Sequence, residues 1–407
     1  MFKIPRTFSE DHDNYITLSG LKNFCKDHKL PISVDRMTAI NNIEQFANSS
    51  EEKCEMVKDW LDGVLIEGIK DLMVKNVDDP GTINGNIEQV VQEQLDGVIA
   101  DEHNRHYSNQ FTPALQVFRY DIDDNVDTGK RIRLYMGKVL DSFDKRVISG
   151  LMYPILVEYY IDLKIIVARS KSKSHLYEHM DTFDIEKAKS TTAEKEMKVA
   201  IDYVCNLFGI TLHKAGKSGI TNRKRLYQML NKYTETPDEI KRLILDKSDD
   251  INGVVETMMS ICNLPLSFRA DLHSDIENMT EKYFSISYKD KSIFTANRDI
   301  YPLQLCATDE EESKVEQTAA LEDPLQSKAI FFDNKKMLQK SGMCDGTVFM
   351  CRRNNTKYCS AEYFRVKMTN NKDYCILKFF EYTAEEDMIY VLLTLTFPER
   401  AYRRGQN

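Results

Sequence analysis

Apolar side chains recur at helical spacing through the N-terminal part of the chain. Over residues 16–48 this pattern is broken at Pro31, which cannot donate a backbone hydrogen bond and therefore ends a helix. We expect two short helices around this turn, with Ser33 or Asp35 as the N-cap of the second. A longer amphipathic helix is expected over residues 50–75, because its apolar positions form one continuous stripe.

The pattern changes from helix to strand and back along the middle of the chain. The sequence DDPGTINGN ends the long helix, and a further helix is expected over 87–103. Residues 115–169 are rich in β-branched and aromatic side chains, which indicates strands. Within them, 153–170 are expected to form a hairpin that turns near residues 162–164. Helices are expected again over 184–281.

The last quarter of the chain combines an acidic segment with apolar runs. ATDEEESKVEQTAALEDP (307–324) is acidic and poor in aromatic residues, which is typical of an exposed linker or loop. Beyond it, residues 328–398 are expected to be β-rich, with the best strands in CILKFFEY (375–382) and MIYVLLTLTF (388–397). The whole pattern therefore predicts an α+β fold.

Composition places the chain among globular proteins. Of its 407 residues 42% are hydrophobic, which argues against global disorder. The first residues, MFKIPRTFSEDHD, lack the apolar run of a secretory signal. The most apolar stretch, 148–168, contains Glu158, Asp162 and Lys164, which a membrane-spanning helix would not carry in its middle. We therefore expect a cytoplasmic protein with no membrane partner. Its 9 cysteines form no C-x-x-C pair, so we expect reduced thiols and no metal site.

Charge is distributed unevenly along the chain, whose formal net charge is -9. Residues 51–105 contain 14 acids and 5 Lys or Arg, a local balance of -9. Residues 203–234 contain no acid and six Lys or Arg. The total therefore excludes a protein that is basic over its whole surface, but it leaves room for a local basic surface that contacts nucleic acid.

The segment ITLSGLKNFCKDHKLPISVDRMTAINNIEQFA (16–47) carries the most specific motif. Its features are the Leu18 and Leu21-Lys22 opening, the Lys29-Leu30-Pro31 turn, Ser33, the basic Arg36, and the apolar pair Ile40 and Ile43. In these features it resembles the SAP domain, a small helix-turn-helix-like DNA-binding module. The resemblance implies phosphate contacts by four basic residues: Lys22, Lys26, Lys29 and Arg36. Val34 departs from the family, since many SAP sequences have glycine after the serine.

With this module the chain divides into five predicted parts, which together make an α+β, multidomain protein. They are a SAP-like helical hairpin at 1–50, an acidic helical segment at 51–108, a mixed α/β central domain at 109–306, an acidic linker or loop at 307–326, and a β-rich C-terminal unit at 327–407. The family resemblance covers the first of these parts alone.

A second basic segment, GITNRKRLYQMLNKY (219–233), has a helical apolar face that includes Leu226 and Leu230. Its cations are Arg223, Lys224, Arg225 and Lys232. Thr221 or Asn222 is expected to cap this helix at its N-terminus. Such a helix is able to lie along a phosphate backbone, so we interpret it as an additional nucleic-acid contact. The alternative is an ordinary solvated helix face.

An enzymatic alternative rests on an acid-x-Lys motif. Asp162 and Lys164 lie in an apolar strand run, and Asp144 lies 18 residues upstream of Asp162. Restriction-type nuclease cores use two acids to hold Mg²⁺ and a lysine to orient the attacking water and offset developing charge. Under this hypothesis Asp144, Asp162 and Lys164 are catalytic and Mg²⁺ is the cofactor. Otherwise no cofactor is expected.

The residues name no reaction, and whether the protein is an enzyme stays open at the level of sequence. Our first hypothesis is a DNA-associated cytoplasmic protein that binds nucleic acid mainly through phosphate contacts of the SAP-like module, in defence against or propagation of mobile DNA. The Mg²⁺-dependent nuclease is one alternative. A protein-interaction scaffold is the other, with the acidic segment 51–105 as the surface that meets a protein partner.

Overall fold

The computed structural model of the protein describes residues 1–9, 15–83, 86–99, 113–143, 147–182, 184–296, 298–308, 314–318, 323–356 and 359–399. The helices in this part of the chain are α1 (Arg6–Ser9), α2 (Leu18–Asp27), α3 (Arg36–Ala47), α4 (Glu51–Ile66), α5 (Ile87–Leu95), α6 (Ala193–Phe208), α7 (Ala215–Tyr233), α8 (Asp238–Leu245), α9 (Ser248–Ile261), α10 (Arg269–Ser287), α11 (Ala329–Ser341) and α12 (Glu385–Thr396). The strands are β1 (Asp71–Asp79), β2 (Gln116–Asn125), β3 (Gly129–Phe143), β4 (Val147–Tyr160), β5 (Ile165–Ser170), β6 (Leu176–Glu178), β7 (Ser190–Thr191), β8 (Thr211–Leu212), β9 (Ile300–Thr308), β10 (Lys314–Thr318), β11 (Gly346–Arg352), β12 (Tyr363–Asn370) and β13 (Cys375–Phe379). The predicted α+β fold class is confirmed.

The chain forms two compact units, and each is assembled from segments that are distant in sequence. The first unit contains 1–218, 355–360 and 372–388, and the second contains 219–354, 361–371 and 389–407. The stretches predicted as a helical module and an acidic helical segment therefore belong to the same compact unit as the strands that follow them. The strands of each unit are described separately below.

In the first unit the sheet has the strand order β13–β1–β5–β4–β3–β6–β7, and β2 also pairs with β3. Successive side chains of a strand point to opposite faces, so each strand contributes to two cores. Leu134 and Val157 belong to the core that includes α5 and α6. Tyr135 and Leu156, one residue away on the same strands, belong to the core that includes α1 to α4. Helices therefore cover both faces of this sheet.

The face toward α1 to α4 also buries a cluster of charges. Glu158 on β4 is fully buried, and its carboxylate accepts hydrogen bonds from Arg133 at 2.7 Å, Arg169 at 2.8 Å and Arg131 at 3.0 Å. Glu385 at the start of α12 contacts Arg131 and Arg133 as well. Burial opposes ionisation of Glu158, but the three guanidinium charges outweigh it, so the pKa of Glu158 lies well below its usual range.

In the second unit the strands form an antiparallel sheet in the order β10–β9–β11–β12. β10 lies inside the segment that the sequence predicts to be an acidic linker or loop. The neighbouring residues 309–313 and 319–322 lie outside the described residues. The linker prediction is therefore wrong for Lys314–Thr318, whose backbone pairs with β9 although the surrounding segment is acidic.

The ends of several helices and strands differ from those that the sequence predicts, and local turns and glycines account for the observed ends. The hairpin turn at residues 162–164 is confirmed, since β4 ends at Tyr160 and β5 begins at Ile165. The helix expected over 50–75 is too long, because α4 ends at Ile66 and the chain continues into β1. Gly68, with a φ of 101°, permits this change of direction at little cost.

The strand expected in MIYVLLTLTF (388–397) is wrong, because this segment lies in α12. Three acids, Glu385, Glu386 and Asp387, occupy the first turn of α12, where they complement the helix dipole. Its apolar side chains are buried all round, and this burial overrides their preference for strands. Among the described helices, α12 included, none combines the length and apolarity needed to cross a bilayer.

Glu158→Gln keeps the size of the buried side chain but removes its charge. We expect the free energy of unfolding to fall by about 3 kcal/mol or more, because three arginines lose a buried counter-charge. The lowered pKa means that this stabilisation is present above the ordinary glutamate pKa of about 4.3 and is lost as the pH falls below it. Glu158→Gln should therefore lose less stability than the wild type on acidification, as measured by urea unfolding followed by circular dichroism.

Glu186→Gln is the matched control, because Glu186 is exposed in the same unit. This variant should remain within about 0.5 kcal/mol of the wild type. Equal destabilisation by the two substitutions, or wild-type stability of Glu158→Gln, would contradict the role given to the buried carboxylate.

Candidate nucleic-acid interface

The predicted helix-turn-helix of residues 16–48 is present as α2, a turn and α3. Thr17 caps α2, its hydroxyl accepting a hydrogen bond from the Gly20 N–H at 3.0 Å. Asp35 caps α3, its carboxylate accepting from the Thr38 N–H at 2.7 Å, which confirms one of the two predicted caps. The Asp35 contact is local in sequence, and for that reason the pattern of residues was sufficient to predict it, whereas the Thr17 cap was not predicted.

The turn between α2 and α3 is held by backbone and side-chain hydrogen bonds. Lys29 adopts a φ of 57°, and the next N–H, that of Leu30, donates to the Cys25 carbonyl at 2.7 Å. The Asn42 amide donates to the Pro31 carbonyl at 3.0 Å. The direction of the chain after α2 is therefore fixed, and with it the position of Lys29.

Three of the four predicted phosphate contacts lie in α2 and in the turn that follows it. Lys22 and Lys26 are four residues apart on one side of α2, and Lys29 lies in the turn beyond the last residue of the helix, Asp27. Lys26 and Lys29 are exposed and Lys22 is half-exposed. Within the described residues no hydrogen bond or ion pair engages these three ammonium groups. We call Lys22, Lys26 and Lys29 the lysine stripe.

Arg36, the fourth predicted phosphate contact, forms hydrogen bonds within the protein. Its guanidinium donates to the carbonyls of Phe8 and Ile16 at 2.7 Å each, and to that of Ser9 at 3.4 Å. Arginine suits this task because it offers five N–H donors in a fixed fork. The phosphate role predicted for Arg36 is thus corrected to a structural one, in which it joins α1, the start of α2 and α3.

The start of α3 disfavours an anion. The Thr38 N–H and hydroxyl both donate to Asp35, and these hydrogen bonds lower the pKa of its carboxyl group. A carboxylate therefore occupies the positive end of the helix, the kind of position at which anions bind in other proteins. Val34, the departure from the SAP pattern, is 82% exposed beside it.

The second basic segment lies in α7, which begins at Ala215, so Thr221 and Asn222 lie inside the helix and the predicted cap is wrong. The apolar face is confirmed, since Leu226 and Leu230 are buried. Contacts within the second unit engage most of the cations. Arg223 pairs with Asp345 at 2.8 Å, Lys232 donates to the Pro398 carbonyl at 3.0 Å, and burial lowers the pKa of Arg225. Lys224 is exposed. A single exposed cation is a weak basis for binding along a phosphate backbone.

The acid-x-Lys motif of the nuclease alternative is part of a tight turn. Asp162 and Lys164 are exposed in the four residues that join β4 to β5. The Asp162 carboxylate accepts from the Lys130 N–H at 3.1 Å and so satisfies the edge of β3. Asp144, the second predicted acid, lies outside the described residues. Within the described ranges, no group of three or more His, Cys, Asp or Glu is arranged to hold a metal ion.

Another side of α2 borders a cavity of about 630 Å³ that sequence reasoning missed. Its wall combines residues of α2 and α4 with Tyr15, Lys70, Lys171 and Tyr382. These four residues are far apart in the chain, so no local pattern connects them. One signal was available in the sequence, since Gly63 interrupts the predicted amphipathic helix. In the structure Gly63 lies in the cavity wall, with open space where a side chain would be.

Arg36→Met retains much of the apolar stem but removes every guanidinium donor. We expect the free energy of unfolding to fall by about 2 kcal/mol, because three backbone carbonyls lose a charged donor. Lys26→Met, which removes an exposed cation from the same module, should change it by less than about 0.5 kcal/mol. Urea unfolding of both variants measures the difference, and a harmless Arg36→Met would restore Arg36 to the list of available cations.

Comparison of the chain with family models, with curated proteins and with solved structures finds no match.

Proposed function

We propose that the protein binds DNA through the module formed by α2, the turn and α3, with the lysine stripe contacting phosphates. The observation that carries this proposal is the position of Lys22 and Lys26 on one side of α2 and of Lys29 in the adjoining turn, with no carboxylate of the described residues paired to them. Three ammonium groups in a row match the repeated charge of a nucleic-acid backbone. The resemblance to the SAP domain supports the same partner.

The arrangement favours binding by charge over reading of bases. Lysine ammonium groups neutralise phosphates and displace condensed counterions, which carries no sequence information. Arg36, the side chain best suited to bidentate recognition of a base, is engaged with backbone carbonyls. We therefore expect weak sequence preference and a dissociation constant on the order of 10⁻⁴ to 10⁻⁶ M at physiological salt.

The other hypotheses receive less support. For the nuclease alternative, the described contact of Asp162 is a hydrogen bond from the Lys130 N–H in a tight turn, and Asp144 lies outside the described residues. No observation singles out the acidic segment 51–105 as a scaffold surface. A cytoplasmic role in defence against or propagation of mobile DNA depends on DNA binding and is part of the same proposal.

Replacing all three lysines of the stripe by glutamine should abolish most of the salt-dependent binding. Each lost phosphate contact reduces the slope of log K against log salt by about 0.9, so the slope should become shallower by roughly 2.7. Fluorescence anisotropy of labelled duplex and single-stranded DNA, titrated with the full chain from low to moderate salt, measures this. Both forms of DNA are included because the stripe does not distinguish between them.

A matched control replaces Lys187, Lys189 and Lys195 by glutamine. These lysines are exposed in the same unit, and the substitution removes the same net charge away from α2. Wild-type binding by this control together with loss of binding by the stripe variant supports the proposal. Absence of salt-dependent binding by the wild type, or equal loss in the two variants, would overturn it.

A further inference from the structure

The cavity beside α2 has the dimensions of a small-molecule site. Its volume of about 630 Å³ lies inside the range of roughly 300–1,000 Å³ that is usual for ligand pockets. Exposed residues such as Thr17, Ser19 and Asp59 belong to its wall, so solutes reach it from solvent. The deeper wall contains buried residues, among them Val64 and Lys70. All of these residues belong to the first unit.

Aromatic side chains give this cavity flat apolar walls. The ring centroids of Phe24 and Trp60 lie 4.5 Å apart, and those of Phe24 and His28 lie 4.3 Å apart. A Cβ added at Gly63 would have no atom within 4 Å, so α4 leaves room for a ligand at this point. A planar or aromatic molecule fits such walls better than a strongly hydrated one.

Lys70 lies in the wall of the cavity with only 2% of its surface exposed. Its Nζ donates to the Val64 carbonyl at 3.0 Å and lies 4.9 Å from the centre of the Tyr15 ring. Within the described residues no carboxylate forms an ion pair with it. A buried ammonium without a counter-charge is costly, so burial favours loss of its proton.

Two cations near Lys70 lower its pKa in the same direction as burial does. Burial lowers its pKa most, and the positive charges of Lys171 and Arg169 lower it further, while Glu67 opposes them weakly. Lys171 lies over the same Tyr15 ring at 5.5 Å. The pKa of Lys70 therefore lies well below its usual range. Desolvation and a second cation are the two conditions that turn a lysine into a nucleophile near neutral pH.

We propose that this cavity binds a small aromatic or apolar aldehyde or ketone, whose carbonyl carbon forms an imine with Nζ of Lys70. The amine electron pair forms the C–N bond, and one N–H proton passes to the carbonyl oxygen to give a carbinolamine. The second N–H proton passes to the hydroxyl group, which leaves as water, and the nitrogen electron pair forms the C=N bond. The sum is amine plus carbonyl compound giving imine plus water, so no oxidant or reductant is needed. Glu67 also lines the cavity.

Reductive trapping tests this reaction on the full chain. The protein is incubated near neutral pH with benzaldehyde and sodium cyanoborohydride, and peptide mapping by mass spectrometry locates each added benzyl group. Each unit by which the pKa of Lys70 lies below that of an exposed lysine raises its neutral fraction about tenfold. We expect Lys70 to be labelled at least about tenfold faster than Lys26, the exposed reference on α2. Labelling of Lys70 that is no faster than that of Lys26 would overturn the proposal.

Gly63→Met blocks the cavity without changing any charged group. It should slow the labelling of Lys70 by about tenfold or more while leaving that of Lys26 unchanged, and it should not weaken the fold because methionine is the better helix former. Met56→Trp, a substitution in the exposed part of the cavity wall, provides a second block if the first variant fails to fold. Unchanged labelling of Lys70 in a folded blocking variant would show that the reaction does not pass through the cavity.

The imine proposal and the DNA-binding proposal are tested by separate variants, so one can be overturned without the other. Replacing the stripe by glutamine should leave the trapping of Lys70 intact, because none of its three lysines lines the cavity. Lys70→Arg should abolish the label at position 70 and leave DNA binding as in the wild type. Loss of both properties in either variant, with the fold retained, would contradict the assignment of two separate sites.

Discussion

The carboxylate of Glu158, held by three arginines, is the interaction on which the first unit depends. Glu158 lies opposite Arg133 in the pairing of β3 with β4, and Arg169 on β5 reaches it from the other side. A shift of either strand by one residue would turn these charges into the apolar core of the opposite face. The cost of such a shift fixes the register of the three strands more firmly than their hydrophobic pattern does.

The same cluster also places elements from both ends of the chain. Arg169 donates to the Ile66 carbonyl at 2.5 Å, which satisfies the end of α4. Glu385, in the first turn of α12, is drawn to Arg131 and Arg133. One buried centre thus joins the N-terminal helices, the sheet and the start of the last helix. It explains how a segment near residue 385 comes to belong to the same compact unit as residues 1–218.

Sequence reasoning succeeded where the deciding contact is local. The cap at Asp35, the turn after Lys29 and the β4–β5 turn each depend on residues within a few positions of one another. It failed where residues distant in sequence determine the local structure or the contacts of a side chain. MIYVLLTLTF has the composition of a strand and becomes helical through burial on all sides, and Arg36 matches a phosphate-binding position but is taken by the carbonyls of Phe8 and Ile16. Three of the four predicted cations of the SAP-like module remain available, and no pattern in the sequence separates them from the fourth.

Glu158 and Lys70 are both buried ionisable side chains, and their surroundings differ. Where this fold buries a charge for structure, it surrounds the charge with partners, and Glu158 has three. Lys70 is equally buried, yet it has no ion-pair partner: a carbonyl and an aromatic ring contact it, and the cations Lys171 and Arg169 affect its pKa more than the acid Glu67 does. Such an environment disfavours the ammonium form, and an amine of lowered pKa in the wall of an open aromatic cavity serves chemistry better than it serves folding. Buried groups that break the rule followed by the rest of a structure are the ones at which function is expected, and in this unit Lys70 is such a group.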